Sequence, residues 1–382
     1  MIKVMKKIKY HQTYVLLVIL SVIYRPVYSQ ETTEEWNKLP VKALMLAPPE
    51  PEHVESYCNF IKDALPKEGI NTLVVRFKYR YKFESYPELA DTLALSKNEV
   101  KQIVKACKEA GIRLIPKMNL LGHQSEGTYV EPLLIKYPEF DESPGVDPPV
   151  PWVDAYPQGG FLCKSLCPQH PDIYKILFPL MDELIEVCEA DAFHVGLDEV
   201  WIIAHENCPR CFGGDRSTIF AEHVRNLYNH LKSKNIGMWM WGDRLIDGKT
   251  TGLGAWHASL SDTHRAIDMI PKDIIICDWK YEDAPPTPQY FAMKGFNVLI
   301  STYQKSHVAI DQLKMLEMAR RNGARESYSP ILSSRMRGVF ATSWEPAENF
   351  INTYYERPAK KESKAAKAFK SIMEYIRMSE KD

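Results

Sequence analysis

A single (β/α)8 barrel of the TIM type is the fold this sequence predicts, and three observations predict it. Short apolar, β-rich runs alternate with segments of helical period from Val41 to Arg377. Eight such runs can be counted, the number that closes a parallel barrel. No Gly/Ser-rich linker, repeat or low-complexity stretch divides the 382 residues, which favours one large domain over two ordinary ones. The competing arrangement, an open doubly wound sheet, calls for a Gly-rich nucleotide turn, and the sequence has none.

The N-terminal segment reads as a targeting signal outside the fold. Lys3, Lys6, Lys7 and Lys9 form a basic stretch, Tyr14 to Ile23 an apolar one, and Val27 and Ser29 suit a cleavage before Gln30. The apolar run is about half the roughly twenty residues that span a bilayer. Residues 1–29 are therefore expected to be a signal peptide and 30–382 the barrel domain. The product would be exported, periplasmic or secreted, with no stable membrane insertion after cleavage.

Val41 to Leu46 is the first strand, followed by a helix from Glu52 to Leu65 that stops near Gly69. Thr72 to Phe77 is the second. Ser96 then caps a helix from Lys97 to Ala110 that Gly111 closes. Arg113 to Met118 is the third strand. The stretch from Gly122 to Pro168 is irregular and rich in Pro and Gly, and so long a loop inside a compact domain is usually functional. The helix Pro171 to Glu189 leads to the fourth strand at Ala192, and Thr218 to Ser233 is the helix before the fifth, Gly237 to Trp241. Ile274 to Asp278, Asn297 to Ser301 and Val339 to Ser343 complete the set. Val308 to Arg321 is an amphipathic helix, and Glu362 to Arg377 closes the chain.

Basic and acidic residues number 48 and 49, so neither nucleic acid nor an anionic membrane surface is an expected partner. Of the eight cysteines, Cys58, Cys107, Cys188 and Cys277 sit in apolar patterns and read as buried thiols. Cys163 with Cys167 and Cys208 with Cys211 form two close pairs. Local disulfides or free thiols are the leading reading, and a structural zinc with His205 or His170 as a further ligand is the other. No catalytic metal or cofactor is expected.

In such a barrel the residues just after each strand face one pocket. The third strand ends in Lys117, Asn119, Gly122 and His123, and the fourth in Asp198, Glu199 and Trp201. The fifth gives Trp239, Trp241 and Asp243, the sixth Asp278 and Trp279, the seventh Thr302 and Tyr303, the eighth Trp344 and Glu345. Any one Trp is more often core than ligand. Aromatics recurring at one topological position beside carboxylates or hydroxyls point to a lined sugar pocket. Phe193-His194-Val195-Gly196-Leu197-Asp198-Glu199 is the most specific stretch. Adjacent residues leaving a strand point in different directions, so Asp198 can orient one group of a ligand while Glu199 moves a proton elsewhere.

That motif resembles the His-x-Gly-x-Asp-Glu signature of glycoside hydrolase family 20, the β-N-acetylhexosaminidases. The resemblance extends further. Leu114-Ile115-Pro116-Lys117-Met118-Asn119-Leu120-Leu121-Gly122-His123 is similar to the family's third-strand I-P-E-I-D-x-P-G-H, and Leu166-Cys167-Pro168 to its approach to the fourth strand. Trp241-Gly242-Asp243, Trp279, Tyr303 and Trp344-Glu345 fall where the family places acetamido-enclosing aromatics and polar sugar contacts.

The resemblance implies a retaining, substrate-assisted hydrolysis of glycans that carry a 2-acetamido sugar, GlcNAc or GalNAc. On that reading Asp198 holds the acetamido N–H and steadies the oxazolinium charge. Glu199 is the general acid and then the base, Tyr303 meets the acetamido oxygen, and Trp241, Trp279 and Trp344 wall the pocket. His194 supports the carboxylates from behind, while His123 is either a relay to the acid or a turn residue. An endo-acting or otherwise divergent glycosidase on the same barrel, or a carbohydrate-binding barrel without turnover, are the alternatives.

The departures from the family lie on the sugar's far side. Lys42 stands where the family opens its first strand with an arginine, and a lysine lacks the bidentate fork. The second strand reads Val75-Arg76-Phe77-Lys78-Tyr79-Arg80-Tyr81 in place of the family's Trp-His and Asp-Asp pairs. Lys117 and Asn119 replace Glu and Asp, and the family's separate N-terminal α/β domain is missing. Strand alternation points Arg76 inward at the strand end, within reach of a ligand, and leaves Lys78 and Arg80 on a solvated loop.

Overall fold

A computed structural model describes residues 36–148, 150–151, 161–325 and 330–380 of the chain. The expected signal peptide lies outside the described residues. Eight strands form a closed barrel: β1 (Val41–Leu46), β2 (Thr72–Arg76), β3 (Arg113–Lys117), β4 (Ala192–His194), β5 (Gly237–Trp241), β6 (Ile275–Trp279), β7 (Asn297–Thr302) and β8 (Met336–Thr342). Each pairs in parallel with its chain neighbours, and β1 closes the ring on β8. The doubly wound alternative is thereby excluded, because a closed ring has no switch point.

Strand alternation divides the core in two. Inward positions bring Ala43 and Met45 on β1 and Ala192 on β4 together with Trp239 and Trp241 on β5, Cys277 on β6 and Phe340 on β8. Alanines on β1 and β4 share this interior with two tryptophans on β5, so small and large side chains fill it together without overpacking. Outward positions such as Leu44, Leu73, Phe193, Met240 and Ile300 pack beneath the helical shell. Ring closure depends on one glycine. Gly338 sits at φ +143, and a Cβ there would lie 1.9 Å from the Val41 carbonyl oxygen.

The shell comprises α1 (Val54–Asp63), α2 (Lys97–Glu109), α3 (Ile173–Cys188), α4 (Arg216–Ser233), α5 (Thr287–Met293), α6 (Ser306–Arg321), α7 (Ala347–Tyr354) and α8 (Lys364–Ser379), with shorter turns between. The expected Ser96 cap is a full capping box with Glu99 on α2. Asp215 and Ser363 cap α4 and α8 by a single bond each, accepting from Thr218 N–H and Ala366 N–H without the reciprocal half of the box. Three elements depart from expectation. β8 begins three residues before the expected Val339, because Met336 pairs with Val298 across a register shift. α5 and α7 are too short for a periodic signal to separate them from loop.

The long segment after β3 holds two small hairpins, Ser125–Glu126 with Tyr129–Val130 and Val150–Pro151 with Phe161–Leu162. Among the described residues, no helix is long and apolar enough to cross a membrane.

Candidate active site

The backbone leaves β4 under strain. After Val195, Gly196, Leu197 and Glu199 all have positive φ, at 75, 71 and 50 degrees, a region costly for side chains and concentrated at functional sites. Gly196 is required there, since a Cβ would meet Asn119 Oδ1 at 2.3 Å. The strand's ladder continues past its nominal end through Trp241 N–H to the Gly196 carbonyl at 3.0 Å and Leu120 N–H to that of Val195 at 3.1 Å. Asp198 and Glu199 are therefore projected from a clamped turn at the C-terminal mouth.

His123, itself at φ 55, comes from the loop after β3 to meet both carboxylates. Its Nε2 lies 3.4 Å from Asp198 Oδ2 and 3.3 Å from Glu199 Oε2, close enough for charge attraction but off the line of a hydrogen bond. Its Nδ1 is 3.6 Å from Cys163 Sγ. Burial disfavours the His123 cation, yet the Asp198 charge, with Cys163 and Glu199, outweighs it and holds the imidazole well above its ordinary range.

The two carboxyls are driven apart. Burial opposes ionisation of Asp198, but His123 and the charge of Lys117 overcome it and hold this carboxyl below the usual range. Glu199 is pushed up, chiefly by burial and then by the charges of Asp198 and Asp243, against the pull of His123. One ionised carboxylate beside one acid-competent carboxyl is the pairing that general acid chemistry needs. Asp198 Oδ1 is buried and accepts no hydrogen bond among the described residues. It is an acceptor held open.

Beneath the carboxylates lies a basic floor. Lys117 donates to Asn119 Oδ1 at 2.6 Å and sits over the Trp241 and Trp344 rings, 5.7 and 5.6 Å from their centroids. Burial brings its ammonium down to about 7 against the opposing charge of Asp198. Arg76 donates through Nη2 to the Trp344 carbonyl at 3.2 Å and lies 5.4 Å from that ring's centre. His194 is fully buried, accepts from Gly196 N–H through Nδ1 at 3.1 Å and packs 4.6 Å from Trp241. Burial and then Lys117 hold it well below the ordinary imidazole range, hence neutral.

Aromatic rings run from one side of the mouth down into the barrel, where Trp241 is fully buried and stacks on Phe340 at 5.5 Å. Trp279 and Tyr281 are 5.2 Å apart, Tyr281 and Tyr303 5.2 Å, and Trp241 and Trp344 5.9 Å. Trp344 Nε1 donates to Tyr281 Oη at 3.2 Å, and Tyr281 Oη lies 3.0 Å from Thr342 Oγ1. Burial pushes the Tyr281 hydroxyl up, with the Asp198 charge adding to the effect. Sequence reasoning missed Tyr281. The signal was available, because 275, 277, 279 and 281 share the inward face of β6 and its continuation.

Two residues expected to touch a ligand, Lys42 and Asp243, are used otherwise, and a third, Glu345, has one oxygen committed. Lys42 is at the opposite end of the barrel, near the start of β1, where its Nζ pairs with Glu380 at 2.8 Å. A residue at the foot of a barrel strand cannot reach the mouth, so this position is structural. Asp243 is fully buried, with both oxygens committed. Oδ2 accepts from Glu199 N–H at 2.9 Å and Arg244 Nε at 2.7 Å, and Oδ1 from Trp279 Nε1 at 3.1 Å. It fixes Glu199 and Trp279 in place and has no oxygen left for a ligand. Glu345 accepts from Ser363 Oγ at the α8 cap and from Ser343 Oγ at 3.5 Å, beside Tyr303.

Lys78 and Arg80 are half-buried and tied down rather than free on a loop. Lys78 pairs with Glu131 at 2.8 Å, and Arg80 donates to the Pro48 and Pro49 carbonyls at 3.2 and 3.3 Å. Asp278 faces the shell, bound by Lys280 at 2.7 Å and Thr287 at 2.5 Å. All eight cysteines are unpaired. Of the two leading readings, local disulfides or free thiols, the structure has the free thiols, and Cys163 Sγ approaches His123.

Comparison with known proteins places this geometry. A family model for the catalytic domain of glycosyl hydrolase family 20 matches residues 74–370. A β-hexosaminidase of Akkermansia muciniphila is 29% identical over 116 residues, 30% of this chain and 21% of that protein. A chitooligosaccharidolytic β-N-acetylglucosaminidase of Bombyx mori is 25% identical over 224 residues, 56% of this chain and 34% of its own length. The chain thus spans about a fifth to a third of these curated relatives. An exo-β-N-acetylglucosaminidase from Vibrio harveyi, solved with N-acetylglucosamine, superposes with a TM-score of 0.58 at 13% identity, over 90% of this chain and 56% of that one. At that identity the likeness is one of fold.

Proposed function

This chain belongs to glycoside hydrolase family 20, and on that basis we propose that it is an exported, retaining β-N-acetylhexosaminidase using substrate-assisted catalysis. The observation that carries the reading is the open, ionised Oδ1 of Asp198 beside a Glu199 carboxyl raised above its ordinary range. A 2-acetamido N–H is the donor that Oδ1 lacks. Held there, the acetamido oxygen forms a bond to the anomeric carbon while the bond to the leaving oxygen breaks. Glu199 gives its proton to that oxygen. Asp198 faces the positive charge that develops on the oxazolinium ring, an interaction stronger in the transition state than in the ground state. Glu199, now a carboxylate, takes a proton from water as it attacks the anomeric carbon and reopens the ring, so the β configuration is retained.

The names of the relatives support a 2-acetamido sugar, and the basic-then-apolar N-terminus supports export. Hydrolysis of a chromogenic N-acetyl-β-hexosaminide compared with its 2-hydroxy analogue tests the mechanism. Turnover of the acetamido substrate alone is expected. Turnover of both would indicate an enzyme nucleophile, and turnover of neither a binding barrel.

A further inference from the structure

We propose that Cys167, Cys208, Cys211 and Glu142 form a structural zinc site that ties the loop after β3 to the loop carrying the catalytic carboxylates. Each of the four offers one ligand atom, and these atoms lie within 4.8 Å of one another. All are essentially inaccessible to solvent. Cys167 Sγ is 3.5 Å from both Cys211 Sγ and Cys208 Sγ. A disulfide needs about 2.05 Å. Four ligands at about 2.3 Å around a tetrahedral zinc put neighbouring sulfurs roughly 3.8 Å apart. Three thiols at one point also defeat a disulfide reading, since pairing any two orphans the third.

The carboxylate supplies an independent pointer. Glu142 Oε1 accepts from His205 N–H at 3.2 Å, and the thiols of Cys167, Cys208 and Cys211 face the carboxylate, but Oε2 is buried and has no partner in hydrogen-bond geometry among the described residues. A buried carboxylate oxygen left open beside three sulfurs is explained by a cation between them. Cys208 and Cys211 have the two-residue spacing common in zinc sites, and Cys211 N–H donates to Cys208 Sγ at 3.4 Å. Backbone N–H groups of Arg210 and Gln169 also face the sulfurs of Cys208 and Cys167. Binding would release the three thiol protons and leave a net charge of −2, which those N–H groups partly offset. Three soft sulfurs with one oxygen, closed to solvent, suit zinc over magnesium or calcium.

The two segments joined are those that frame the mouth. Glu142 and Cys167 belong to the span between β3 and α3, and Cys208 and Cys211 follow Glu199 in the span before α4. Trp201 and Ile202, between the acid and the thiols, pack against Val146 of the first span. The site would therefore hold the acid-bearing loop in place without touching substrate.

The full chain, purified without chelator, should carry one zinc per molecule by mass-spectrometric metal analysis. Cobalt exchanged into it should show thiolate charge-transfer absorption and tetrahedral ligand-field bands. Cys208→Ser should lose the metal and melt at a lower temperature, whereas Cys163→Ser should keep it in full. Glu142→Gln keeps the acceptor for His205 N–H, and it should release zinc to a chelator roughly tenfold faster or more, at least the loss that follows removal of an outer-shell partner. Should Cys208→Ser fail to fold, the metal content and cobalt spectrum of the unaltered protein still decide. Folded protein that holds no metal after equilibration with zinc overturns the proposal. So do fewer than eight titratable thiols after denaturation with chelator, which would mean a disulfide.

Discussion

Replacing Asp243 by Asn probes the acid through a residue that never meets substrate. Its Oδ2 receives Glu199 N–H and Arg244 Nε, and its Oδ1 receives Trp279 Nε1. Asparagine has one acceptor oxygen, so its best rotamer keeps the two bonds at Oδ2 and turns an amide donor toward the indole N–H. One hydrogen bond is lost and the Arg244 pairing loses its charge, a cost of about 1.5–3 kcal/mol for a bond to a charged group. The catalytic effect has two parts. Loosening the Glu199 backbone displaces the acid, and a shift of the order of 1 Å costs about 100-fold in rate. Removing the Asp243 charge removes one of the influences that raise the Glu199 carboxyl. That carboxyl becomes more acidic, so the fraction still protonated falls at a lower pH. The alkaline limb of kcat/KM against pH, measured on an unactivated glycan, should therefore move to lower pH while kcat falls. A limb that stays put or moves upward would refute this reasoning about Glu199.

Three further outcomes follow from the same contacts. His123→Asn keeps a residue that tolerates positive φ but removes the cation that lowers both carboxyls, so both limbs of the profile should move to higher pH, opposite to Asp243→Asn. Glu199→Gln should abolish turnover of unactivated glycans and spare substrates with good leaving groups in the first step, because these need little protonation; equal loss on both would make Glu199 a positioning group. Lys42→Ala breaks a largely buried pair with Glu380 at the barrel's foot, so stability should drop by about 1.5–3 kcal/mol with kcat and KM unchanged, and altered KM would return Lys42 to the ligand.

The sequence by itself determined the eight strands, their order and the end of the barrel at which the Asp198–Glu199 pair stands. These follow from local signals: a period of two in the strands, a period near 3.6 in the helices, and polar and aromatic residues just after each strand. The Asp198–Glu199 pair and Trp241, Trp279 and Trp344 were legible on the same grounds. Tertiary structure alone decided how each polar group is spent, because hydrogen-bond partners come from segments far apart in the chain. Asp243 looked like a sugar contact until Glu199, Arg244 and Trp279 occupied both its oxygens. Arg76 was placed inward by alternation, but only the fold laid it against the Trp344 ring and carbonyl. The cysteines show the limit most plainly. Spacing grouped Cys163 with Cys167, whereas folding sent Cys163 to His123 and brought Glu142 to the other three thiols. No periodicity in a sequence records a carboxylate arriving from another loop, and that arrival is what turns three thiols into a candidate metal centre.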